Sequence, residues 1–155
     1  MNETTQKWFN EWANEYDRML GDQKRHREML ELAVQMSRAK DGEHVLDIGC
    51  GTGLLSLKFL QAANCMVTCI DLAEDMLKIC KNRIEELNLA SRVTIKHGDI
   101  ADLEFEDSAF DIVASTVTLH HLKDKQPTIN KIYRILKPKA LASHRPQKSA
   151  YFLLL

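Results

Sequence analysis

An α/β fold, a parallel sheet with helices on both faces, is what this sequence predicts, and three observations predict it. Short β-rich runs alternate with amphipathic helical stretches from His44 onward. The connections between them are brief, so each strand must return beside its predecessor by a right-handed crossover that lays a helix on the sheet. One of those junctions, Gly49-Cys50-Gly51-Thr52-Gly53, is a glycine-rich turn from strand to helix.

The elements follow in order. Trp8, Trp12, Tyr16 and Met19 recur at helical spacing between Lys7 and Leu20, with Phe9, Ala13 and Leu20 as a second stripe, until Gly21-Asp22 stops the helix. Met29, Leu32, Ala33 and Met36 repeat the pattern over Gln23 to Ala39, and Asp41-Gly42 breaks it. The period then changes. His44 to Ile48 reads as a strand, and Leu54 to Ala63 as a helix. A second strand, Cys65 to Ile70, ends at Asp71 and leads into a helix over Ala73 to Leu87, which carries Met76, Cys80, Ile84 and Leu87 on one stripe. Arg92 to Lys96 makes a third strand, followed by His97-Gly98-Asp99, and Phe110 to Ser115 a fourth, after the acidic loop Asp102 to Asp107. Asp124 to Leu136 closes the pattern as a helix ended by Lys137-Pro138. The expected organisation is a helical lid over 1–43, a ligand-binding core over 44–138 and a divergent tail over 139–155.

Composition limits the function. The chain has 155 residues, 45% hydrophobic and 28% charged, with a formal net charge of -1, enough apolar material for one core and no charge excess to hold nucleic acid or a membrane surface. The first residues lack both the basic and the apolar part of a secretory signal, so a cytoplasmic location is expected. The four cysteines, Cys50, Cys65, Cys69 and Cys80, show no C-x-x-C spacing; they read as small buried hydrophobes, and no metal site is expected.

Ligands of such sheets bind at the carboxyl ends of the strands, near the point where strand order reverses. Gly49, Gly51 and Gly53 let a ligand approach the backbone there, beside the free N–H groups of a helix start. Asp71, at the end of the second strand, can accept both hydroxyls of a ribose, and Asp99 ends the third. Each has a plainer reading: a tight turn without ligand, a helix cap near Ala73, an ordinary turn residue. A nicotinamide dinucleotide needs G-x-G-x-x-G, and Leu54 fills the place of its last glycine. Asp47, just ahead of the loop, would repel a diphosphate and suits a cationic group. A nucleoside carrying an amino-acid ammonium and no phosphate fits better.

Val45 to Gly53 resembles the first motif of class I S-adenosylmethionine-dependent methyltransferases of the small-molecule type. Ile70-Asp71-Leu72 with Met76, Gly98-Asp99-Ile100, Phe110 to Val113 with Leu119-His120-His121-Leu122, and Ile135 to Pro138 resemble its later motifs in the same order. The resemblance covers roughly residues 8 to 138. It implies a Rossmann-like core and S-adenosylmethionine as cofactor, with Gly49, Cys50, Gly51 and Gly53 lining its methionine portion and Asp47 near the ammonium. It places Asp71 on the ribose diol, Leu72 and Met76 beside the adenine, Asp99 on its exocyclic amine and Ile100 on its face. Ser115 would shape the methyl-donor end, and Tyr16 would reach the site from the lid, although core packing explains Tyr16 and Trp12 as well. No catalytic residue is assigned; His120 is a weak candidate for a general base.

The sequence departs from that family after Pro138, where Lys139-Ala140 replaces glycines and Leu141 to Leu155 shows no strand or helix period. The expectation is a shortened chain lacking the C-terminal strands of the fold, with the fourth strand left as an unpaired edge that invites self-association. Two functions stay open: transfer of a methyl group to a small-molecule acceptor, or a catalytically incomplete remnant that binds the cofactor or associates.

Overall fold

A computed structural model describes residues 3–21, 23–116, 125–138 and 152–154. The chain begins with α1 (Glu3–Tyr16), which runs into a π-helical turn at Asp17–Gly21, and α2 (Lys24–Ser37). There follow β1 (His44–Ile48), α3 (Leu54–Ala62), β2 (Met66–Asp71), α4 (Glu74–Glu86), β3 (Val93–His97), β4 (Ile112–Ser115), α5 (Lys125–Ile135) and β5 (Phe152–Leu154). Each expected strand and helix from His44 to Leu136 is present, with ends shifted by a residue or two. The order across the sheet is β3-β2-β1-β4-β5, all parallel, so the direction of progression reverses between β1 and β4.

Alternation along β1 divides the core between the two faces. Val45 packs with Val67, Cys69, Ile112 and Ala114 against α2, α3 and α4, around the fully buried Phe59. Leu46 and Ile48 point the other way, to Ile70, Val113 and the Ile132, Ile135 and Leu136 side of α5. A third cluster joins α1 to α4 through Ala13, Ala73 and Met76, with Phe9, Tyr16 and Ile79 at its margin.

One expectation is corrected. The fourth strand is no bare edge: Val113, Ala114 and Ser115 pair with Phe152, Leu153 and Leu154. A continuous apolar run carries no alternation to read, yet it suits a buried parallel strand, and it meets the row of N–H and C=O groups that β4 would otherwise leave unpaired. The edge on that side of the sheet is therefore β5 rather than β4. Among the described residues no helix is long and apolar enough to cross a membrane.

Candidate functional site

The turn after β1 is strapped to β2. Ile70 O accepts from the backbone N–H groups of Gly49 (2.8 Å) and Cys50 (3.0 Å), and the Asp71 carboxylate accepts from Gly51 N and Ala73 N, both at 2.8 Å. The turn takes positive φ at Gly49 (70°), Gly51 (54°) and Gly53 (83°), a region that side chains disfavour. A Cβ on Gly51 would meet open space, whereas one on Gly53 would stand 2.6 Å from Cys80 Sγ, so the last glycine is needed for packing against α4.

Asp71 is not the cap of α4, which is Ala73 with no side-chain cap bond; its carboxylate closes a turn onto Ala73 N just ahead of the helix and also braces the glycine loop. The carboxylate, with about four lone-pair sites, keeps acceptor capacity beyond these bonds. Burial pushes its pKa up, against the pull of the hydrogen bonds from Ala73 and Gly51. Gly98 N donates to Asp71 O at 2.9 Å, which brings the turn after β3 to the same place. There Asp99 is half-buried and its Oδ1 accepts from Ala101 N at 3.0 Å, a turn geometry. Leu72 is half-buried, and its carbonyl accepts from Gln6 Nε2 at 2.7 Å.

Asp47 is 1% exposed. Ser56 Oγ donates to its Oδ2 at 2.6 Å, while Oδ1 finds no hydrogen-bond partner among the described residues. Burial drives its pKa from 3.8 up to about 8. Buried polar atoms are nearly always satisfied, so Oδ1 calls for a donor that the described side chains do not supply. On the other side of β1, the Ser115 hydroxyl donates to Ile48 O at 2.8 Å and holds the ends of β1 and β4 together.

The amino-terminal segment covers this end of the sheet. Asn10 Oδ1 accepts from Asp75 N at 3.1 Å and caps α4 from outside. Asp17 takes a hydrogen bond from Thr52 Oγ1 (2.6 Å) and pairs with Arg83, whose guanidinium also donates to Thr52 O at 2.5 Å. Tyr16 lies close enough to Asp71 and Asp17 that, with burial as the larger cause, their charges push its phenol pKa up.

The structure therefore brings Asp47, the glycine loop, Asp71, Asp99, Ser115 and Tyr16 to the carboxyl ends of β1 to β4. Met76 and Ile100 are fully buried, the former beneath α1 and the latter in the core beside Ile70. His120, with Leu119, His121 and Leu122, lies outside the described residues, as does most of the 139–155 tail. Sequence reasoning missed Ser56 and the Asp17–Thr52–Arg83 contacts. Ser56 stands one helical turn beyond the glycines and was within reach; the contact between Asp17 and Arg83 depends on how α1 folds back and leaves no local signal. It also missed that Cys50, Cys69 and Cys80 converge, for spacing along the chain says nothing of three thiols gathered from a loop, a strand and a helix.

This order of strands, with a glycine loop and acidic strand ends at the switch point, defines a Rossmann-like α/β domain. The chain belongs to the methyltransferase domain family, which matches residues 45–139. It is 34% identical over 140 residues to the demethylmenaquinone methyltransferase of Lactiplantibacillus plantarum, covering 85% of this chain and 57% of that protein. It is 31% identical over 157 residues to the 2-phytyl-1,4-naphtoquinone methyltransferase of Nostoc punctiforme, covering 94% and 67%. Among solved structures, phosphoethanolamine N-methyltransferase 2 of Haemonchus contortus, in complex with S-adenosyl-L-methionine, superposes with a TM-score of 0.64 at 34% identity, over 70% of this chain and 25% of that one. The chain thus spans little more than half the length of the first of these curated relatives. The family uses S-adenosylmethionine.

Proposed function

We propose that this chain binds S-adenosylmethionine at the carboxyl ends of β1 to β4 and passes its methyl group to a small-molecule acceptor. The observation that carries the reading is the buried Oδ1 of Asp47, without a hydrogen-bond partner among the described residues, two residues ahead of a glycine loop whose Gly51 faces open space. A ligand ammonium supplies the donor that this oxygen lacks, and the backbone of Gly49 to Gly53, with Cys50, lies along the methionine portion. Asp71, already oriented by Gly51 and Ala73, accepts from the ribose hydroxyls through its remaining lone pairs. Leu72 and Asp99 flank the adenine, with Ile100 and Met76 as the packed floor behind them. Ser115 borders the methyl end.

The cofactor supplies a methyl group already activated by its sulfonium. The protein then has to align donor and acceptor and keep water out, which is where most of the acceleration of an in-line displacement arises. The amino-terminal segment, closed over the site through Asn10, Tyr16 and Asp17, acts as the lid that excludes water. No base is assigned. Relatives that act on quinones and a structural neighbour named for phosphoethanolamine support a small acceptor.

Calorimetric titration of S-adenosylmethionine into the folded protein tests the reading, with Asp71→Asn as control, because asparagine keeps one acceptor for the backbone. One saturable site, weakened at least tenfold in the variant, is expected; no binding by a folded wild type would overturn it. Incubation with labelled cofactor and demethylmenaquinone or 2-phytyl-1,4-naphthoquinone then separates an enzyme from a protein that binds without transferring.

A further inference from the structure

Three thiols meet beneath the glycine loop. Cys50 comes from the loop, Cys69 from β2 and Cys80 from α4, and their Sγ atoms all lie within 4.8 Å of one another. All three are buried and none is in a disulfide. Ordinary packing explains one buried thiol readily; it gives no reason for three to converge from three separate elements.

The distances suit a metal ion. A cation bound by thiolates at about 2.3 Å holds its sulfurs about 4 Å apart, so this triad needs only a small contraction. Thiolate donors select soft cations such as Cu(I), and among the described residues the cluster offers three ligands and no fourth. Zinc is nearly always four-coordinate in structural sites, which leaves the three-sulfur set better matched to a soft cation of lower coordination. The Cys69 thiol stands 3.0 Å from Ser56 Oγ, whose own proton goes to Asp47 Oδ2, so the hydroxyl oxygen accepts from the thiol and holds that sulfur in place. Arg83, three residues beyond Cys80, donates to Thr52 O and brings positive charge to the same loop.

The geometry points to a binding site for a soft monovalent cation of the Cu(I) type, held by Cys50, Cys69 and Cys80. Binding exchanges S–H for S–metal bonds, and each thiol that becomes a thiolate releases one proton to solvent, with no change of oxidation state. Cys50 is shared with the cofactor loop, but the cluster uses its Sγ and is tested by metal binding alone, without the cofactor. Cys65, whose thiol instead donates to Phe59 O at 3.5 Å, lies outside it and serves as the internal control.

Cu(I), added anaerobically to the reduced protein in competition with a chromophoric Cu(I) chelator, tests the site. One tightly held equivalent per chain is expected, weakened at least tenfold in Cys80→Ser and unchanged in Cys65→Ser. Copper X-ray absorption on the loaded wild type, which needs no variant to fold, is expected to show a shell of three sulfurs. Failure of the folded wild type to retain Cu(I), equal loss in Cys65→Ser, or a shell dominated by nitrogen or oxygen would each overturn the assignment.

Discussion

Replacing Asp47 by asparagine removes a titratable group from the core while leaving the acceptor that Ser56 needs. The folded protein holds the Asp47 proton up to about pH 8, while the unfolded chain releases it near 3.8. Between those values the native state binds one more proton than the unfolded state, so stability falls as pH rises, by up to about 1.4 kcal/mol per pH unit. Over the whole window the loss is at most about 6 kcal/mol, and relaxation around a buried ion leaves a part of that. Urea unfolding of both proteins from pH 5 to 9 reads the effect as a difference. Asp71, whose pKa burial also raises, slopes both profiles the same way, so the difference between them reports chiefly on Asp47. The wild type is expected to lose stability relative to Asp47→Asn up to about pH 8, after which the two curves run parallel. Curves parallel throughout would refute the claim that Asp47 is neutral in the folded protein at pH 7.

The same carboxyl must ionise to pair with a ligand ammonium. Affinity for S-adenosylmethionine should therefore rise with pH by up to about tenfold per unit below pH 8, with a proton released on binding; calorimetry in buffers of different ionisation heat counts that proton, and a pH-independent affinity would contradict the pairing. Gly53→Ala, forced to positive φ and set 2.6 Å from Cys80 Sγ, is expected to destabilise by about 1–3 kcal/mol in denaturant unfolding. Adding Cys80→Ala should recover the steric part of that loss and leave the backbone strain. Asp17→Ala removes the acceptor for Thr52 and Arg83, and limited proteolysis should then cut the amino-terminal segment faster while β1 to β4 stay protected. Phe59→Ala, at the centre of the larger core, should destabilise by about 3–5 kcal/mol in urea.

Where local chemistry decides the structure, the sequence was readable. Val45 to Gly53 declared a strand, a turn that needs positive φ, and a helix, and all three are present. Asp71 was legible because its position at a strand end follows from the strand. That Met76 packs beneath α1 was not legible, because a residue on the stripe of α4 can face either the crevice or the helix above it, and only tertiary packing chooses. Phe152 to Leu154 was overlooked for want of alternation. The thiol triad was invisible for a different reason: Cys69 and Cys80 are neighbours only because α4 folds back along β2.

Asp71 joins three turns at one residue, the loop after β1 and the start of α4 through its carboxylate, the turn after β3 through its carbonyl. A crevice organised this way is stiff before any ligand arrives, so little conformational entropy is left to be lost on binding. It also means that position 71 is not free to change for the ligand alone. A substitution there keeps the carbonyl bond to Gly98 N but releases both carboxylate contacts together, so variation in what the crevice accepts has to arise at the residues around Asp71.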